Sequence, residues 1–348
     1  MKAIVKYDQG PDKVEIRDVP APKVVPGSVI VEVKFCGVCG WDVEMWRHTM
    51  ANPVTVPVIQ GHEFCGTIAE VGPGVAEWKA GDRVVSETSA VVCGHCRCCR
   101  AGQYQLCPSR KGYGYGVDGA FTQFVVVRQE ILHRLPAEVS FEEGALCEPF
   151  CVVHRAVAAD SRLTPGQTAV VIGPGPIGLI ALQMARVLGA KRVILVCVDV
   201  SVARAAFAEK QGWTDAVVNA SRPDAAQQIM DLTGGEGADV VIDAAGNAAA
   251  LKMALDVVAS LGRIIKIGWG PGPVGFSLDA LLRKAATLSG TFGHNRSDWQ
   301  AVLSLMAQRR IDPRSLISGV LPLSRWHEAF ERTHRSEAVK MLLYPEPH

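Results

Sequence analysis

Val170-Val-Ile-Gly173-Pro-Gly175-Pro176-Ile177-Gly178 is the stretch on which the fold turns. A β-branched apolar run passes into Gly-x-Gly-x-x-Gly and then into a helix-period segment that reaches Leu188. Gly173 permits the tight turn, Gly175 lets backbone approach a pyrophosphate, and Gly178 lets helix and strand pack closely. The helix start offers free N–H groups and a positive dipole end to phosphate. Downstream, strand-like runs at Arg192–Val196, Ala216–Val218 and Asp239–Asp243 alternate with helical patterns at Val202–Gln211 and Ala248–Leu261. Gly262-Arg-Ile-Ile-Lys-Ile-Gly follows. Such alternation predicts a parallel sheet covered on both faces. Asp199 comes 21 residues after Gly178. An acid there accepts ribose hydroxyls and repels a 2′-phosphate, which favours NAD over NADP. A plain helix N-cap before Ser201 is the other reading of Asp199. Arg204, one helical turn on, is placed to cover the adenine or to offset part of that repulsion.

Upstream, Met1 to Phe150 reads as short strands (Val29–Phe35, Thr67–Val71, Arg83–Ser86) punctuated by Pro-Gly and Gly-Asp pairs. This half carries Cys93-Gly-His-Cys96-Arg-Cys-Cys99 and then Cys107, a Cys-x2-Cys-x2-Cys-x7-Cys pattern. A closed zinc site needs four such donors at about 2.3 Å from one ion. The polar Arg/Gly/Gln loop around them has no apolar core in which thiols would simply pack. Cys98 breaks the even step and is expected to point away.

The chain has 348 residues, 48% of them hydrophobic and 20% charged, with a net charge of +1. That balance fits two globular domains and leaves no basic footprint for nucleic acid. No run of about 18 apolar residues suggests a membrane span. Eleven cysteines in metal-type spacing, without a signal-peptide pattern, argue for reduced thiols in the cytoplasm.

A second set of donors is scattered. Cys39 lies in Phe35-Cys-Gly-Val-Cys-Gly-Trp-Asp42, His62-Glu63 follows Gly61, and Glu148 stands in Leu-Cys-Glu-Pro-Phe. A thiolate, an imidazole and one or two carboxylates make an open zinc site rather than a closed one. Cys36 is the alternative thiol, although Gly40 and Asp42 suit Cys39 better because they turn and brace its loop. His294-Asn-Arg296 and Trp269 are candidates to line a nicotinamide or substrate cleft, with a surface loop as the other reading of His294. His154 is expected to hydrogen-bond near the site or to be structural.

Gly-His-Glu, the four-cysteine lobe, Gly81-Asp-Arg-Val and the glycine turn occur here in the order found in the zinc-dependent medium-chain dehydrogenases. The resemblance covers essentially the whole chain and is closest to the sorbitol (L-iditol) and threonine dehydrogenase branch. Glu148-Pro149 replaces the cysteine of classical alcohol dehydrogenases, and Gly116-Val-Asp-Gly-Ala-Phe and Leu132-His-Arg-Leu-Pro also resemble that branch. The resemblance implies an α/β chain with a β-rich GroES-like catalytic domain and zinc lobe over 1–151. A Rossmann-type doubly wound parallel sheet binds NAD over 152–297, and 298–348 completes the catalytic domain. It implies a catalytic zinc on Cys39, His62 and Glu63, with Glu148 as an exchangeable ligand. It also implies a structural zinc on Cys93, Cys96, Cys99 and Cys107, cofactor contacts at Ile177, Asp199 and Arg204, and a homotetramer.

One departure stands out. The branch commonly has Ser or Thr after Cys-Gly, placed to relay the substrate proton, where this chain has Trp41; a histidine three residues on is Glu44. The usual proton path is therefore missing or rerouted through Glu63, Glu44, His48 or water, and Trp41 either narrows the pocket or packs. The implied activity is transfer of hydride from a secondary alcohol of a polyol, sugar or sugar derivative to NAD. The alternatives are an L-threonine or vicinal-diol dehydrogenase and an inactive zinc- and nucleotide-binding protein. With Cys39, His62, Glu63 and Glu148 all on one Zn²⁺ the set carries a net charge of −1, so a carboxylate is expected to leave as substrate binds. The reaction would take place in a cleft between the β-rich domain and the carboxyl edge of the sheet.

Overall fold

The computed structural model describes residues 1–50, 54–270 and 272–346. The chain divides into two compact units, Met1–Cys151 with His294–His348, and Val152–Gly293.

The second unit is built on the parallel sheet. Thr168–Ile172 is buried along its whole length, as a strand covered on both faces must be. The sheet runs Ala216–Asn219, Arg192–Cys197, Thr168–Ile172, Ala238–Asp243, Val258–Lys266, Thr287–Gly290. Every neighbouring pair is parallel. The strand order therefore reverses beside Thr168–Ile172, which is where open α/β sheets bind ligands. Helix Ala248–Val257 stops short of the expected Leu261, and the chain becomes strand at Val258. Val257 and Val258 are β-branched, and Leu261 takes a left-handed φ of 62° before Gly262. Pairing with Ala238–Asp243 shifts register at this point.

The first unit is mostly antiparallel. Ser28–Gly37 pairs with Glu63–Val71, and then come Arg83–Ser86 and Leu132–Arg134. On its other side Ser28–Gly37 takes Lys340–Tyr344, which pairs parallel with Ile317–Pro322. The C-terminal segment thus supplies two strands to the first unit's main sheet. A core including Val31, Phe64, Phe121, Phe330 and Met341 joins both ends of the chain. His294 opens the C-terminal part of the first unit, and its side chain is bonded there to Thr88 and Glu148. Among the described residues no helix is long and apolar enough to cross a membrane.

Candidate active site

Cys39 caps the helix Gly40–Arg47 from extended backbone, and Asp42 at its third position reaches back to the Cys39 N–H at 2.9 Å. The other oxygen of the buried Asp42 carboxylate accepts the Gly61 N–H at 3.3 Å, and its carbonyl accepts Gln60 Nε2 at 3.1 Å. One carboxylate thus ties the Cys39 turn to the loop that delivers His62. Glu63 opens the strand Glu63–Val71. It has room because residue 37 is glycine: a Cβ there would stand 2.3 Å from Glu63 Oε2.

These elements bring single donor atoms of Cys39, His62 and Glu63 within 4.8 Å of one another. His62 Nδ1 is buried, lacks a hydrogen bond among the described residues and faces Asp42 Oδ1 at 3.8 Å. A carboxylate behind an imidazole is the usual way a metal-bound histidine is oriented. The electrostatics fit a cation. Burial opposes charge on His62, but Asp42, Cys39 and Glu148 outweigh it and hold the imidazole well above its ordinary value. Burial and the Glu63 charge push the Cys39 thiol up, and burial does the same to Asp42. Buried anions at this density need a positive partner, and Zn²⁺ suits a sulfur, nitrogen and oxygen set. Cys36 lies outside the group; its thiol faces the Gly37 carbonyl.

Glu148, expected as an exchangeable ligand, also lies outside this three-residue group. Its Oε1 is 3.1 Å from His294 Nε2. Burial pushes its carboxyl up, but the His294 bond with the His62 and Lys340 charges wins, and the carboxyl sits below its ordinary value. The surface-loop reading of His294 fails: the side chain is 1% exposed. Lys340, which carries no motif, donates to Glu63 Oε2 and to the Val38 carbonyl at 3.0 Å. This cation was missing from the charge count of −1, and it neutralises one of the two carboxylates. Its signal was a lysine inside the apolar strand Lys340–Tyr344.

The relay candidates separate. Glu44 and His48 are exposed, and His48 Nδ1 accepts the Gly10 N–H at 3.3 Å. Glu63 is committed to Lys340. Trp41 packs edge-on to Tyr115 at 6.0 Å and against the cluster of Met45, Val54 and Val58. Its Nε1 is buried without a partner among the described residues.

Cys93, Cys96, Cys99 and Cys107 form the second group within 4.8 Å, without Cys98. Backbone N–H groups point at three of the sulfurs: Cys96 N at Cys93, Cys99 N at Cys96 and Cys93 N at Cys107, at 3.3 to 3.4 Å. Donors aimed at sulfur favour thiolates. The His95 and Cys96 N–H groups hold Cys93 down to about 6. Burial and the neighbouring Cys96 sulfur push Cys99 up to about 12. The four cannot all ionise without a cation.

In the second unit Gly175 caps the helix Pro176–Val187 with Pro176 at the first helical position, where a missing N–H costs nothing. Gly173 has φ 100°, and a Cβ on Gly178 would lie 1.8 Å from the Gly173 carbonyl. No atom stands within 4 Å of a Cβ built on Gly175, which leaves the space a pyrophosphate would use. Asp199 is exposed just past Arg192–Cys197, and its Oδ1 accepts Asn219 Nδ2 at 2.7 Å. Arg204 and Ile177 lie on the helices Val202–Lys210 and Pro176–Val187. Trp269 is 61% exposed and touches Phe292 edge-on.

Residues 25–137 match the family model described as an alcohol dehydrogenase GroES-like domain, and residues 176–308 match the one described as zinc-binding dehydrogenase. The sorbitol dehydrogenase of Halalkalibacterium halodurans is 36% identical over 346 residues, 99% of each chain. The D-arabitol-phosphate dehydrogenase of Enterococcus avium is 35% identical, over 100% of this chain and 98% of its own. Among solved structures, 2R,3R-butanediol dehydrogenase from Bacillus subtilis matches with a TM-score of 0.90 and 32% identity over 99% of both chains.

Proposed function

The chain belongs to the zinc-dependent medium-chain dehydrogenases, in the sorbitol dehydrogenase-like branch, and on that premise we propose that it moves hydride from a secondary hydroxyl of a polyol, sugar or sugar derivative to NAD. The observation that carries this reading is the convergence of Cys39, His62 and Glu63 around one point, with Glu148 beside but not among them. Three protein donors leave one position for substrate. Bound there, Zn²⁺ supplies Lewis acidity that eases loss of the hydroxyl proton, and nicotinamide supplies the hydride acceptor.

The chain's own residues do the rest. Asp42 holds the Cys39 turn and backs His62. Lys340 fixes Glu63 and offsets its charge. Glu148 commits Oε1 to His294. Residue 41 has no hydroxyl, so the proton does not leave through it. Asp199 supports NAD over NADP. The thiols, all unpaired, support a reducing, cytoplasmic setting, and the branch resemblance supports a homotetramer. A vicinal-diol substrate is a second reading, favoured by the likeness to butanediol dehydrogenase.

A panel of polyols, sugars, threonine and one-hydroxyl alcohols, read at 340 nm with NAD and with NADP before and after chelation, tests this. Polyol-dependent, NAD-preferring turnover that chelation removes is expected. Equal turnover of a one-hydroxyl alcohol, or activity that survives complete chelation, would contradict it.

A further inference from the structure

Three buried side chains outside the donor set, His294, Trp299 and Thr88, form a hydrogen-bonded chain that ends on Glu148. Trp299 Nε1 lies 2.8 Å from His294 Nδ1. Indole N–H only donates, so Nδ1 must be the accepting nitrogen and the ring proton sits on Nε2. That N–H faces Glu148 Oε1 at 3.1 Å and Thr88 Oγ1 at 3.3 Å. Thr88 Oγ1 in turn accepts Arg110 Nη2 at 2.9 Å. A neutral histidine is thereby made an obligate donor toward the carboxylate.

The arrangement is built from local sequence. Asn295 caps the helix Arg296–Ala307, with Asp298 reaching back to the Asn295 N–H at 2.9 Å. His294 just precedes this cap and Trp299 lies in the helix, so the cap sets their separation. Trp299 also stacks on the His133 ring, centroids 5.4 Å apart and planes 10° apart, and His133 Nε2 is held by Glu87 at 2.9 Å. The indole cannot turn its N–H elsewhere without breaking that stack.

We propose that His294, its tautomer set by Trp299, is a positioning residue that keeps the Glu148 carboxylate out of the Cys39–His62–Glu63 donor set and so preserves the open position for substrate. This rests on the zinc-dehydrogenase reading above. Without the His294 N–H, Glu148 is a buried anion beside a divalent ion, and coordination becomes its best way to find a partner. A fourth protein ligand closes the site.

The test uses the cobalt-substituted protein and azide, whose binding to an open position changes the cobalt visible spectrum. The four-thiolate lobe has no open position and does not respond. Wild-type protein is expected to bind azide. His294→Leu weakens azide binding about tenfold or more, the scale of a lost charge-assisted hydrogen bond. Trp299→Phe, which keeps the stacked ring and loses only the donor, weakens it by a smaller factor. His294→Gln, which retains an N–H donor, restores most of it, and Glu148→Ala added to His294→Leu restores azide binding fully. In steady state, His294→Leu raises KM for the alcohol more than it lowers kcat. Unchanged azide affinity in His294→Leu and Trp299→Phe overturns this proposal alone. Wild-type protein that loads no cobalt at Cys39 overturns the functional reading and this proposal with it.

Discussion

Replacing Lys340 by Met tests the electrostatics of the donor set. Lys340 is 3% exposed and Glu63 1%, so neither charge has water to fall back on. Met keeps the apolar stem and removes the ammonium that serves Glu63 and the Val38 carbonyl. Breaking a buried ion pair from one side costs about 3–5 kcal/mol, because the remaining charge is uncompensated. The orphaned carbonyl places the loss toward the upper end. Zinc changes the sum, since it gives Glu63 a second cation. The chelated protein should therefore lose more stability than the zinc-replete one. If the two losses differ by about 1.4 kcal/mol, the variant binds zinc about tenfold more tightly than wild type. The assay is urea unfolding followed by tryptophan fluorescence, with chelator and with excess zinc. The wild-type comparison cancels the thiol lobe. A loss under about 1 kcal/mol in the chelated variant, or equal losses in both conditions, would refute the reasoning.

Gly178→Ala puts a methyl 1.8 Å from the Gly173 carbonyl, so the turn must shift; NADH fluorescence titration should show affinity at least about tenfold weaker, with circular dichroism unchanged. Asp199→Ala removes the acid proposed to face the ribose, and the NADP-to-NAD ratio of kcat/KM should rise about tenfold or more; an unchanged ratio assigns Asp199 to Asn219 and the helix start alone. Asp215 gives a pH test away from the metal set: burial pushes its carboxyl up, but Arg186 at 2.6 Å and the Val193 N–H at 2.7 Å hold it below its ordinary value. A depressed acid stabilises above its unfolded value near 3.9 and loses that as pH falls through its folded value. With the carboxylate 40% exposed, Asp215→Asn should cost only about 0.5–1 kcal/mol at pH 7. Its melting temperature should draw toward that of wild type as pH falls below about 3.9; a constant gap across that fall would contradict the assignment.

What could be read before the structure was local or compositional. The glycine turn and the cysteine lobe each sit in a short motif whose residue types have few other uses, whereas Cys39, His62 and Glu63 are scattered and stand out through the family resemblance. Lys340 and His294 were harder. Lys340 meets Glu63 from 277 positions away, and His294 meets Glu148 from 146. Only the return of the C-terminal segment to the first unit joins them, and spacing along a chain carries no trace of such a pairing. Trp299 is indistinguishable in sequence from any core aromatic until its N–H is seen on His294. The helix after Ala248 overran for the opposite reason. Its apolar period continues smoothly through Val257, and strand pairing with Ala238–Asp243 overrides it there.

Metal content per chain bears most directly on the open site. Elemental analysis of folded, zinc-replete protein should find two equivalents in wild type and one in Cys39→Ala, with polyol turnover abolished in the variant. A single equivalent in wild type, or full turnover by Cys39→Ala, would contradict the account.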